Sequence, residues 1–381
     1  MSHAAVDRPA RGTRPVKPAA RRVLVAPAAF KGTLGPLAAA AALAEGVRRV
    51  WARAEVRTRP LSDGGDGFLE AIGAAIGGTT QTLKVTGPRS EAVDARILRA
   101  AGTAVIESAE ACGLRHVPPG QRDPGRTTTR GVGELLAAAD RPVTEEVILG
   151  LGGSATVDGG TGMARALGWS FRDAAGRALP EGGGSLARLV RIERPDRVWT
   201  LPVLVLCDVQ NPLTGPRGAA RVYGPQKGAT AEQVEVLDAG LVRLAEVMWR
   251  DLGVDVADLP GAGAAGGLGA GARVFLGARL ASGAEWMIRR TGVETTLAAS
   301  DLVVTGEGRY DAQSGMGKVT GRLLELAEAR GVPALLVCGA IEGSLPRAVH
   351  GIDGAGRILG PSDLTDLAAS GCRALESRGR L

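Results

Sequence analysis

Short apolar runs alternate along this chain with amphipathic stretches, and each change of period marks a predicted element. RVLVA, Arg22 to Ala26, is a continuous apolar run of strand length, the pattern of a strand buried on both faces. The loop PAAFKGTLG follows, and LAAAAALAEGVRRVW predicts a helix from about Pro36 to Trp51. Between about Val85 and Ile106 the pattern changes: LKVTGP, AVDARILRA and TAVIES predict short strands in a hairpin or meander. GVGELLAAA then predicts a helix ahead of a strand over EVILG, Glu146 to Gly150, and Met163 to Leu167 reads as helical. PVLVLCDV predicts a strand from about Val203. Thr230 and Gln233 have the spacing of a capping box, opening a helix with Val234, Leu237, Leu241, Leu244 and Met248 on one face. DLVVTGEG, GRLLELAEARG and ALLVCGAI close the series as strand, helix and strand. No repeat of fixed period is visible, and the alternation predicts an α/β fold.

The polar residues cluster just beyond the apolar runs. Lys31 follows RVLVA, Ser154 and Asp158 follow VILG, Asp208 ends VLVLCD, and Glu307 and Asp311 follow LVVTG. Ligands of open α/β sheets bind beyond the carboxyl ends of the strands. Strand ends that deliver Lys, Asp, Glu and bare Gly therefore point to an anionic ligand handled with a metal.

Composition narrows the class. A chain of 381 residues suggests roughly two or three domains. Aromatics are only 3%, so the cores must be packed from Ala, Val, Leu and Ile. The formal net charge of +6 is concentrated at one end: Arg8, Arg11, Arg14, Lys17, Arg21 and Arg22 stand against Asp7 alone, leaving the remaining body near neutral. A basic tail on a near-neutral body, without a helix-turn-helix, zinc-finger or stacking motif, argues against a nucleic-acid partner. Pro9, Pro15 and Pro18 interrupt that tail, so residues 1–21 are expected to be a disordered extension and not a signal. No apolar run is long enough to span a bilayer. Cys112, Cys207, Cys338 and Cys372 include no C-x-x-C pair, which indicates neither zinc nor a disulfide framework and makes the reduced cytoplasm the expected compartment.

Three glycine-rich patterns compete. Gly150 to Ala155 follows a strand and matches G-x-G-x-x-A, with Asp173 as a ribose partner, which would suit a dinucleotide enzyme. The loop continues into VDGGTG, whose glycines oppose the helix start that must hold the pyrophosphate. GAGAAGGLGAG, Gly261 to Gly271, follows DLP and not a strand; it can offer backbone N–H groups to a phosphate, or pack helices closely. The phosphate-loop motif ending in G-K-[ST] is absent, because Ala312 and Val319 stand at its required positions around Lys318. LSDGGDG sets Asp63 and Asp66 three apart, where carboxylates can share a hard cation or accept a hydroxyl proton.

Taken together, VAPAAFKGTL, PLSDGGDGF, ESAEACGL, DPGRTTTRGVGEL, GLGGSATVDGGTGMARALGW, GGGSLARL, CDVQNPLTGPRGAARVYGPQKGAT, GAGAAGGLGAG and VVTGEGRYDAQS occur in this order. This series resembles the type I glycerate kinase family from about Val23 to Ala340. The resemblance implies ATP-dependent phosphorylation of glycerate, usually to 2-phosphoglycerate, with Mg²⁺. It also implies two α/β domains: a flavodoxin-like one built from both chain ends (22–66 and 290–381), and one inserted in it (67–289). A homodimer is compatible with the sequence but not indicated by it. Three motifs depart from the family pattern: Ala28 and Ala29 replace Asp-Ser before Phe-Lys-Gly, Val157 replaces Asn, and Gln210 replaces Asp. Each removes a polar or acidic group, which leaves an impaired, ligand-binding homologue as the alternative reading.

The expected site follows from the resemblance and the loop chemistry. ATP phosphates are expected against Gly261, Gly263, Gly266 and Gly267 and against Gly152, Gly153 and Ser154. Asp208 or Glu307 is expected to hold the metal, and Lys31 to neutralise charge on the transferring phosphoryl group or to pair with the substrate. Asp63 or Asp158 would accept the hydroxyl proton, and Arg130 or Arg309 would pair with the glycerate carboxylate.

Overall fold

The computed structural model describes residues 20–30, 32–311 and 318–378. Two sheets organise them. The first is wholly parallel and joins both ends of the chain, in the order Val349–Asp353, Ala334–Ile341, Leu302–Tyr310, Arg22–Val25, Glu55–Thr58. The second runs Arg279–Ala281, Val203–Leu206, Glu146–Gly150, Thr103–Glu107, Ala92–Ala100, Thr79–Thr86. Its first four strands are parallel, and the last two add as an antiparallel meander.

The period-2 rule explains how the first sheet is buried on both faces. Val23, Val25, Leu335 and Val337 point to one side, where they pack with residues of helices Pro36–Val50 and Pro361–Ser377. Leu24, Val303 and Leu336 point to the other, into a core shared with Leu98, Val105, Ile148 and Leu206 of the second sheet. Helices Phe68–Ile76 and Gly283–Arg290 contribute Phe68, Ile72, Ala284 and Met287 to that shared core. The opposite face of the second sheet packs on its own core with helices Arg130–Ala139, Thr161–Ala166, Ala231–Leu252 and Ala264–Phe275. The loop after Glu55–Thr58 joins the carboxyl ends of the two sheets, since a Cβ on its Gly64 would lie 2.4 Å from Leu206 O and 3.6 Å from Leu151 N.

The capping box at Thr230 and Gln233 is formed, and Val234, Leu237, Leu241, Leu244 and Met248 are buried. Two boundaries differ from expectation. The helix expected from Met163 starts at Thr161, because Gly159 and Gly160 turn the chain in left-handed conformations just before it. The strand read over DLVVTGEG, 301–308, continues to Tyr310, pairing Glu307 with Cys338 and Arg309 with Ala340. Glu307 and Arg309 therefore project from a strand and not from a free loop. Lys31 lies outside the described residues, as do 1–19 and 312–317.

Candidate active site

The loop after Glu55–Thr58 crosses from the first sheet to the second. Asp63 turns it, accepting from Gly65 N–H at 3.1 Å. A Cβ on Gly152 would stand 2.4 Å from Gly65 Cα, and one on Gly283 would stand 2.3 Å from Asp63 O. Only glycine admits so close an approach, and the contact brings Asp63, Gly152 and the start of helix Gly283–Arg290 together. Asp208 joins them from the end of Val203–Leu206. Ser282 Oγ donates to Asp208 Oδ1 at 2.8 Å, and Ala284 N–H donates to both carboxylate oxygens at 3.1 and 3.0 Å. The carboxylate therefore sits at a helix N-terminus, where backbone dipoles favour negative charge. Burial nevertheless pushes its carboxyl up to about 7, and the charge of Asp63 adds to the shift. Two acids from different sheets, one of them poorly solvated, make it costly to hold both charged at once. Among the described residues no group of three or more Asp, Glu, His or Cys is placed to hold a metal alone. A hard cation here would share its coordination with substrate oxygens.

Glu107 closes the rear of the crevice. It ends Thr103–Glu107 beside Gly150, is fully buried, and accepts from Leu69 N–H at 3.1 Å. Its other oxygen has no hydrogen-bond partner and lies 3.8 Å from Arg115 Nη1. Burial pushes this carboxyl up to about 7, with Glu110 and Asp66 adding repulsion. Beneath the Gly152–Ser154 loop lies Lys227, 3% exposed, whose Nζ donates to Ser154 Oγ at 2.8 Å and Thr156 O at 2.7 Å. Burial pushes its ammonium down to about 8. Neither residue was singled out from sequence. Glu107 carries the same signal as Asp208, an acid ending an apolar run, and Lys227 is the one cation in the small-residue stretch GPQKGA.

The expected site residues divide into three groups. Asp63, Asp208, Gly152, Gly153 and Ser154 meet in the crevice, with Gly153 exposed and Ser154 held by Lys227. Glu307 and Arg309 line a separate cavity of about 460 Å³ with Ala29, Phe30, Lys318 and Arg357. Arg309 pairs with Glu342 at 3.0 Å. The two regions adjoin along the backbone: Leu61 N–H donates to Pro27 O at 2.9 Å, and Ala28 N–H to Gly306 O at 2.9 Å.

The third group lies elsewhere. Asp158 is fully buried, and its carboxylate accepts from Thr129 N–H and Oγ1, Gly160 N–H and Gly162 N–H, so it braces two loops. Arg130 Nε donates to Glu181 at 2.7 Å, and Arg130 lines neither the 460 Å³ cavity nor the second one described below. Gly263, Gly266 and Gly267 are buried packing contacts and not an open nest. A Cβ on Gly266 would lie 1.9 Å from Thr156 O, and the N–H groups of Gly263 and Gly267 already bond Asn211 O and Gly263 O. Gly261 alone of that run reaches a second cavity, described below. The dinucleotide reading fails on the same ground as expected. Ser154 bridges Gly113, no helix starts before Thr161, and Asp173 is engaged by the Arg177 turn. Of the departures, Val157 is core packing, Gln210 is exposed, and Ala29 lines the 460 Å³ cavity. All four cysteines are buried and free, and among the described residues no helix is long and apolar enough to cross a membrane.

Comparison with known proteins shows the family. The glycerate kinase family model matches residues 23–380. The chain is 42% identical over 339 residues to a glycerate kinase of Halalkalibacterium halodurans, covering 87% of this chain and 89% of that one. It is 41% identical over 364 residues to glycerate 2-kinase of Escherichia coli K12, covering 93% and 96%. A crystal structure assigned to glycerate kinase 2 of Salmonella typhimurium LT2 superposes with a TM-score of 0.79 at 39% identity, covering 95% of this chain and 100% of that one. The chain belongs to the glycerate kinase family. Its activity is accordingly that of an ATP-dependent phosphotransferase acting on glycerate.

Proposed function

We propose that the enzyme transfers the γ-phosphoryl group of ATP to the 2-hydroxyl of glycerate, in the crevice where the carboxyl ends of the two sheets meet. The observation that carries this reading is the Asp63–Asp208 pair. One carboxylate comes from each sheet, and the charge of one raises the other beside the half-buried Gly152 and the exposed Gly153. An oxygen-only, doubly negative donor set fits Mg²⁺, which binds through one or two carboxylates plus substrate phosphates. Asp208 would hold it, and its chemistry there is to neutralise charge on the phosphate oxygens.

The remaining work falls to this chain's own side chains. Asp63 accepts the proton of the attacking hydroxyl. The oxygen–phosphorus bond to glycerate forms as the bond between the γ-phosphorus and its bridging oxygen breaks, and that electron pair stays on ADP. Gly152 and Gly153 let phosphate approach the backbone, with Lys227 fixing the loop from below. Glycerate occupies the 460 Å³ cavity, where Arg309, Lys318 and Arg357 offer cations for its carboxylate and Glu307 accepts from a hydroxyl. In its own chain order the first sheet runs 2-1-3-4-5, the flavodoxin-like order, and this cavity lies at its switch point between Arg22–Val25 and Leu302–Tyr310. That order supports reading 22–66 with 290–381 as a flavodoxin-like domain carrying 67–289 as an insertion.

Asp63→Asn tests the core of the proposal. We expect kcat to fall at least about tenfold, toward the 10²–10⁴ range of a lost general base, with the fold retained by circular dichroism. Unchanged turnover would remove Asp63 from the chemistry. Phosphorus NMR of the product decides the 2-hydroxyl: a 3-phosphoglycerate signal refutes that assignment.

A further inference from the structure

The glycerate cavity has a counterpart of nearly equal size on the second sheet. It measures about 470 Å³ and lies beside the edge strand Arg279–Ala281. Val209, Leu259, Pro260 and Leu280 form its apolar wall, and the exposed Arg273 and Arg279 border it. Its size falls in the range of pockets that enclose a nucleoside-sized ligand, and its lining mixes apolar surface with a few polar groups as such pockets do. The first cavity differs in chemistry: three cations and two acids line it, which suits a small polyol acid better than a purine.

Position makes the second cavity specific. Cys207 and Ser282 both line it, and Asp208, the residue between Cys207 and Val209, accepts from Ser282 Oγ. The cavity thus adjoins the carboxylate assigned to the metal. Asp63 approaches the same helix start, its carbonyl oxygen standing against Gly283, and lies two residues from Leu61, whose N–H ties the loop to Pro27 and so to the segment leading to the first cavity. A ligand with an apolar planar end and a metal-bound anionic end would run from the one cavity toward the other.

We infer that the adenine nucleotide binds in this second cavity, its base against Val209, Leu259, Pro260 and Leu280 and its phosphates leading past Asp208. Arg273 or Arg279 stacks on the base or pairs with a phosphate. Gly261, which lines the cavity, keeps the part in nucleotide binding that the packed Gly263, Gly266 and Gly267 do not. The assignment rests on the phosphotransfer reading above.

Val209→Trp fills the cavity from a half-buried position, and Leu280→Ala removes part of its wall with less demand on folding. ADP affinity is measured by titration calorimetry without glycerate, and KM for ATP and for glycerate by ADP release. Val209→Trp is expected to weaken ADP at least about tenfold, and Leu280→Ala about threefold or more, while KM for glycerate stays within about twofold. Inorganic tripolyphosphate, which has no base, should keep the same inhibition constant against ATP in the parent and both variants. Unchanged ADP affinity in a folded Leu280→Ala, or a rise confined to KM for glycerate, overturns the assignment. Because ADP titration needs no turnover, weakened ADP binding beside absent glycerate phosphorylation would refute the proposed reaction and leave the nucleotide cavity standing.

Discussion

Glu107 poses a cost that the fold tolerates only in one protonation state at a time. Its carboxyl rises from the ordinary value of 4.5 to about 7, first because it is buried and then because Glu110 and Asp66 repel its charge, against the Leu69 N–H and Arg115. The folded protein therefore holds this proton more tightly than the unfolded chain between about pH 4.5 and 7. Stability from this group is greatest below that window and falls as pH rises through it. The loss is on the order of 3 kcal/mol by pH 8. Glu107→Gln keeps an acceptor for Leu69 N–H and removes the ionisation, so urea unfolding at pH 5 and pH 8 should show a smaller drop than the parent. Equal drops would show that Glu107 does not titrate in that range. A side chain of this kind was hard to read from sequence, because its burial depends on Phe68–Ile76 and on the Arg115 loop. The bare pattern of an acid after TAVI describes a turn equally well.

At the scale of elements, close approach governs what the glycine-rich segments do. The helix Ala264–Phe275 is interrupted by left-handed Ala265, Gly266 and Gly267, and Gly266 there has φ +74° with Thr156 O against its α-carbon. Gly266→Ala meets both the backbone strain and the clash, and should destabilise by about 2–4 kcal/mol, read as a lower urea midpoint at unchanged m-value. A midpoint within error of the parent would mean the segment is loose enough to serve as an open loop after all. Composition alone could not choose between a phosphate nest and a packing surface, since the same small residues make both. The choice is made by the Thr156–Gly159 segment, distant in sequence. Buried strands were legible because apolar runs have few other uses. The extension of Leu302 to Tyr310 was not, since GEGRY gains its strand conformation from pairing with Ala334–Ile341. Asp63 and Asp208 were individually visible as acids in strand-end loops, whereas their meeting depends on the close backbone approaches at Gly152 and Gly283, which involve segments distant in sequence.

Across the whole molecule, the two sheets share one apolar core through Phe68–Ile76 and Gly283–Arg290, and both helices begin at the crevice. Helix Gly283–Arg290 starts at Asp208, and helix Phe68–Ile76 follows the Asp63 loop and is capped by Glu107. Ligand binding at the crevice is therefore coupled to the elements that hold the sheets together, and it should register as global stability. ATP with Mg²⁺ at about a hundred times its dissociation constant should stabilise by about 2.7 kcal/mol, seen as a rise of several degrees in Tm. Chelation of the metal should remove most of that rise, because ATP alone then brings more negative charge to a carboxylate that burial and Asp63 already make reluctant to ionise. Asp208→Asn should show a smaller difference between ATP with and without Mg²⁺, since the amide no longer needs the cation. Arg309→Gln, on the other sheet, should leave the nucleotide-induced rise intact and lose the increment from glycerate. Equal ATP-induced shifts with and without metal in the parent would place the triphosphate away from the Asp63–Asp208 pair.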